Sequence, residues 1–221
     1  MFEKIKDSLK RLINSRPFDP SVFNDPVALK TGWGELKTGG PNFRTQKIKI
    51  ISPDRAAVKP AAGILIFCAV FIFTGSYCIY YAAKAGIEKH NLTSAYTLAA
   101  GAFGLVFIVM GAVAFFSGAK PVVFDKMSGL YRKGFGEPDI YLRDEKDENS
   151  GRLSDIHALQ ILAKYPDDYS AYELNLVLKD GTRINVINSG NYRKLAGDAG
   201  KLSGFLGVPL WDREQAINNE Q

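Results

Sequence analysis

Cysteine and histidine are almost missing from this sequence, with two of each in 221 residues. Two cysteines cannot build a disulfide framework, and no cluster of cysteine and histidine is available for a structural zinc site. Charge is missing too, but only locally. Residues 60–83 and 90–119 contain no Lys, Arg, Asp or Glu, and they hold most of the chain's apolar excess. A signal peptide is not expected, because the first apolar run begins near residue 60. Hydrophobic residues make up 46% of the chain, which excludes a wholly disordered or collagen-like protein.

The first charge-free stretch includes an unbroken apolar run from Gly63 to Phe73. A hydrocarbon core of about 30 Å is crossed by roughly 20 helical residues, so residues 60–83 are long enough to span it. Tyr77, Tyr80 and Tyr81 gather at its end like an interfacial aromatic belt. The second stretch, 95–118, is rich in Ala, Gly, Phe, Val and Ile. A buried helix of a soluble core competes with each reading. Two such runs around a short polar loop, 84–94, instead predict a membrane hairpin.

Lys47, Lys49, Arg55 and Lys59 precede the first span, and Lys120, Lys126, Arg132 and Lys133 follow the second. Lys84 and Lys89 alone lie in the loop between. Positive charge stays inside, so both termini are expected in the cytoplasm of a cell with this protein in its inner membrane. Asn91-Leu92-Thr93 matches a glycosylation sequon, which we read as a chance match. Residues 1–60 hold twelve basic and six acidic side chains, whereas 119–221 hold fourteen and sixteen. The basic excess beside the membrane points to lipid headgroups and not to nucleic acid.

No ionisable side chain lies within the spans to mark an ion path. Thr97, Gly104, Gly111 and Gly118 recur every seven residues and form one stripe of small side chains. Such a stripe lets helix backbones approach closely, either to the first span or to a partner helix in an oligomer. Cys68 and Cys78, ten residues apart, cannot bond to each other and read as packing residues.

Residues 1–16 read as a basic amphipathic helix in which Phe2, Ile5, Leu9, Leu12 and Ile13 would share a face. It lies either on the membrane or on the soluble domain. Pro17 and Pro20 end it, and 17–59 reads as a mostly irregular cytoplasmic arm with one strand at about Phe43–Ile51.

After the spans, a hairpin is expected to turn at Lys126–Gly129, followed by an acidic loop, Asp144–Gly151. Strands are expected at Leu159–Tyr165 and Tyr172–Leu178. A three-residue turn with Gly181 in the left-handed region pairs Leu176 with Ile184 and Leu174 with Val186, which keeps apolar faces together. Tyr192, Leu195, Ala196, Ala199, Leu202 and Leu206 predict an amphipathic helix stopped by Gly207 and Pro209. The fold class is therefore α+β: a transmembrane hairpin plus an antiparallel sheet over 119–211 closed by one helix. A disordered tail, 212–221, is expected after it.

Those strands and the ending Phe205-Leu-Gly-Val-Pro-Leu-Trp resemble the bacterial PH-like domains found beside membrane hairpins. Phe124-Asp-Lys-Met-Ser-Gly and Leu153-Ser-Asp-Ile-His-Ala-Leu-Gln are also similar to a two-span photosystem I assembly factor family, over roughly residues 60–211. The basic arm is not part of that pattern. The resemblance implies an architecture and a scaffold-like class of function, not photosynthesis.

Chemistry is sparse. Ser154, Asp155 and His157 are too close in sequence for a hydrolase triad, and a turn capped by Ser154 or Asp155 is the expectation. Asp144–Gly151 departs from the calcium-loop pattern. Gly134-Phe135-Gly136 and Gly39-Gly40 lack the Lys-Ser/Thr of a phosphate loop. No enzyme, cofactor or metal is expected. The sequence predicts a scaffold or assembly module with a protein partner or a second copy. The alternative is anionic-lipid recognition by Lys4, Lys6, Lys10, Arg11, Arg132 and Lys133. Lys126 and Tyr131 near the membrane, and Tyr192, Arg193 and Lys194 at a helix start, are weaker phosphate candidates.

Overall fold

The computed structural model describes residues 18–36, 39–88, 90–118, 120–134, 149–164 and 170–219. The chain enters through a 3-10 turn, Pro20–Phe23, and a short helix, Pro26–Lys30. Asp19 and Asp25 cap them by accepting from the backbone N–H groups of Ser21 and Val27. Each cap precedes a proline, whose missing N–H costs nothing in a first turn.

Two strands follow where one is expected: β1 (Gln46–Ser52) and β2 (Arg55–Pro60). The arm 17–59 is thus more ordered than its composition suggests. β2 is hard to see because Ala56-Ala57-Val58 is short and Pro60 reads as the start of the apolar run. A first long helix (Ala62–Glu88) and a second (Ala95–Gly118) come next. The first continues past residue 83, with Lys84 and Glu88 one turn apart at 3.9 Å, since a loss of hydropathy does not stop a helix. Both are long and apolar enough to cross a membrane. Only 17% and 11% of their most apolar windows are buried, unlike helices in a soluble core.

Beyond the helices lie β3 (Val122–Asp125), β4 (Leu130–Lys133), β5 (Ser150–Arg152), β6 (Ile156–Lys164), β7 (Ala171–Leu178) and β8 (Arg183–Ser189). A closing helix (Tyr192–Leu206), β9 (Leu210–Asp212) and a last helix (Arg213–Asn219) complete the described chain. Consecutive strands from β1 to β5 pair antiparallel in one sheet, and a second sheet runs β8-β7-β6-β9 with β9 parallel to β6. An isolated bridge between Arg44, just before β1, and Ser189 at the end of β8 links the two sheets. The expected single sheet is therefore two. Ile48, Val58, Val122, Phe124 and Tyr131 of one meet Leu159, Ile161, Leu174 and Leu176 of the other, with Leu195, Ala199, Leu202 and Phe205 of the closing helix.

β2 pairs with β3 from Arg55↔Asp125 to Val58↔Val122. The two long helices are consequently an insertion inside the five-stranded sheet, and the folded unit takes strands from residues 46–60 as well as from 119–211. Gly181 adopts φ +87° and Leu176 pairs with Ile184, as the turn chemistry predicts. Leu174 meets Ile187 and not Val186, because the register shifts between Leu174 and Asn175. The closing helix ends at Gly207, which has φ +72° and donates to Ser203 O. Residues 212–219 are not a loose tail. The Asp212 carboxylate accepts from the N–H groups of Glu214 and Gln215, and Arg213 donates to Trp33 O.

Candidate functional site

The small-residue stripe is placed first, because it decides how the two long helices meet. A Cβ built on Gly104 would lie 2.6 Å from Gly75 O, and one on Gly111 would lie 3.1 Å from Cys68 O. Gly118 faces Ile64, and Thr97 stands against Gly86. All four stripe residues thus turn toward the first long helix of the same chain, not toward a partner. Contact this close needs backbones free of intervening side chains.

At the helix–sheet junction a single residue, Ala61, separates β2 from the first long helix. Its N–H donates to Thr45 O at 2.8 Å, while the Gln46 side-chain amide donates to Lys120 O at 2.9 Å. The Arg44 guanidinium is paired with Asp198 on the closing helix, whose carboxylate also accepts from Ile48 N. Of the candidate lipid contacts, Lys133 turns inward and its ammonium donates to Asn185 O at 2.9 Å. Arg132, its neighbour, lies on the opposite sheet face. Lys4, Lys6, Lys10 and Arg11 lie outside the described residues. Lys126 sits at the far end of the sheet, over the Phe205 ring at 4.4 Å. Tyr131 is a core residue.

The arm covers the outward face of the second sheet, a surface that sequence reasoning leaves to solvent. One end of this interface is apolar: Phe23, Ala28 and Trp33 of the arm pack on Ala158, Val177 and Trp211. The other end is polar and buried. Gln160, Asn175 and Asn185 are cross-strand neighbours linked side chain to side chain, and Lys164 pairs with Glu173 at 2.9 Å with both side chains at most 1% exposed. These groups grip the arm by its backbone. Gln160, Arg183 and Lys164 donate to the carbonyls of Gly32, Gly34 and Gly39, and Leu36 N donates to Glu173. A Cβ on Gly32 would meet the Arg183 guanidinium at 3.0 Å, so the approach uses glycine. The signal in the sequence is Phe18, Phe23 and Trp33, three large aromatic groups in one short segment, which cluster together and reach Trp211.

The Asp25 carboxylate accepts a hydrogen bond from His157 Nε2 at 2.8 Å, beside the Trp211 ring. Burial opposes ionisation of Asp25, but hydrogen bonds from His157 and Val27 N, with the charge of His157, outweigh it and hold the carboxyl below its ordinary value. Ser154 and Asp155 sit in the 3-10 turn Leu153–Asp155 and do not cap it; the cap position is Arg152, without a side-chain bond. At the next helix start, Asn191 already caps Lys194 N, and the Tyr192 hydroxyl donates to Asp212 at 2.8 Å. Burial, then that hydrogen bond, pushes the Tyr192 phenol well up.

An open pocket of about 400 Å³ lies at the sheet end remote from the helices, lined by Lys126, Ser128, Arg152, Ser154 and Leu206 among others. No three His, Cys, Asp or Glu side chains come together among the described residues. The constellations present therefore hold the arm and the helices to the sheets. In comparisons with known proteins, the chain matches no protein family, no curated protein and no solved structure.

Proposed function

We propose that this chain is a non-enzymatic integral membrane protein whose PH-like soluble unit is a scaffold at the cytoplasmic face of the inner membrane, docking a protein partner or a second copy. The observation that carries the reading is the pairing of β2 with β3 across the two long helices. Strands on both sides of the hairpin share one sheet, which supports their lying on one side of the bilayer. The positive charges flanking the helices favour the cytoplasmic side. Ala61 alone joins strand to helix, so the unit is held in a set orientation at the surface. Such a platform suits recognition, where preorganisation lowers the cost of association.

The test is gentle extraction of the native protein, followed by particle mass and identification of what co-purifies at fixed stoichiometry. A discrete particle containing a second protein or a second copy supports the scaffold. A lone monomer, unchanged on cross-linking in the intact membrane, overturns it.

A further inference from the structure

We infer that Lys47, Lys49, Lys59 and Arg132 form a binding face for anionic phospholipid headgroups in the leaflet adjoining the five-stranded sheet. The inference rests on the membrane placement just proposed, but not on any protein partner. It starts from strand register. Ile48, Val58, Val122, Phe124 and Tyr131 point into the core. Side chains alternate along a strand, so Lys47, Lys49, Lys59 and Arg132 share the outward face.

Lys47 lies directly opposite Lys59, a like-charge cross-strand pair that is destabilising by itself. The next row reads Lys49, Ala57, Val123, Arg132 and Ser150 across all five strands, with no carboxylate in it. None of the four cations has an ion-pair partner among the described residues. The Nη1 of Arg132 is buried and makes no hydrogen bond among them. Guarding an edge strand against aggregation explains Lys47 and Lys49 on β1. It does not explain Lys59 or Arg132, which stand on interior strands.

The charge is also graded along the strands. The row farthest from the helices reads Ser52, Arg55, Asp125, Leu130 and Arg152, so a carboxylate offsets one of its two cations. The rows nearer the helices hold two cations each with no carboxylate opposite them, and Lys59 stands three positions before the helix starts at Ala62. At a rise of about 3.3 Å per residue, Lys59 lies roughly 10 Å along the chain from the helix start. That is comparable to the screening length of about 8 Å over which an anionic bilayer attracts cations. A phosphate between Lys47 and Lys59 would relieve their repulsion.

The full chain is reconstituted with equimolar phosphatidylglycerol and phosphatidylcholine, and the lipids retained on gentle extraction are counted by native mass spectrometry. Wild type should retain phosphatidylglycerol over phosphatidylcholine by about tenfold, a modest yield for four surface cations. The variant K47Q/K49Q/K59Q/R132Q should fall to near parity. The control K30Q/K126Q/R152Q/K179Q, with the same charge change at the remote end, should retain the enrichment. Equal loss in both variants, or loss in neither, overturns the assignment. Lys59→Gln alone guards against misfolding of the fourfold variant. It should melt higher than wild type in phosphatidylcholine and gain less from phosphatidylglycerol. Melting identical to wild type in both lipids overturns the proposal as well.

Discussion

Gly75 and Gly104 face each other across the two long helices so closely that a Cβ on Gly104 would sit 2.6 Å from the Gly75 carbonyl oxygen. Gly104→Leu must therefore push the helices apart, since the obstacle is backbone. Overpacking of this kind costs about 1–3 kcal/mol or more. Gly101, three residues earlier, has nothing within 4 Å of a Cβ. In one detergent, Gly104→Leu should melt well below wild type and Gly101→Leu should not. Equal melting would contradict the seam.

Docking of the arm should depend on pH through Asp25. Its folded value is depressed, so its stabilisation is present above the unfolded value near 3.8 and is lost as pH falls through the folded value. The two tryptophans of the chain, Trp33 and Trp211, are 6.0 Å apart across the interface, so tryptophan fluorescence reports the docking. Asp25→Asn should weaken docking at neutral pH and remove its acid dependence. Asp212 has the opposite sign. Burial raises it despite hydrogen bonds from Tyr192 and from Gln215 and Glu214 N–H, so its ionisation disfavours the fold and acid relieves that cost.

Lys164 and Glu173 should behave as a unit. Removing one member leaves a buried unpaired charge, which costs about 3–5 kcal/mol. Lys164→Met and Glu173→Leu should each destabilise strongly. The double variant should recover a large part of the loss, as read by a double-mutant cycle in denaturant. Additive losses would mean that the pair contributes no coupling.

Gly190 lies under the arm where it crosses from one sheet to the other. A Cβ there would come within 2.6 Å of Phe43 N, and Gly190 N donates to Phe43 O at 3.1 Å. Gly190→Ala should break the Arg44–Ser189 bridge. Hydrogen exchange at residue 190, whose N–H donates to Phe43 O, should then rise, while exchange in the long helices stays unchanged.

Legibility followed the range of the interaction. The stop at Gly207 and the Leu176–Ile184 register are set by a few neighbouring residues, so turn and cap chemistry suffices to find them. The bulge at Leu174/Asn175 is invisible for the opposite reason: it depends on how β7 and β8 fit the covered face. Lys164 and Glu173 look like surface residues until Leu36 and Gly39 of the arm are laid over them. Asp25 and His157 are 132 positions apart, and no local pattern connects them.

By itself the sequence determined where two long apolar helices form, because length without charge is a local property. It also determined the glycine-lined face on which they pack and the amphipathic closing helix. Only the tertiary structure decided that β2 and β3 pair across those helices, that the sheet is two sheets, and that Phe23, Ala28, Trp33, Leu36 and Gly39 of the arm are bound to the second one. A short strand such as Ala56-Ala57-Val58 has little preference of its own, and its hydrogen-bonding partners settle its conformation. The same holds for the four outward cations. Each is an ordinary surface residue alone, and strand register alone brings them onto one face.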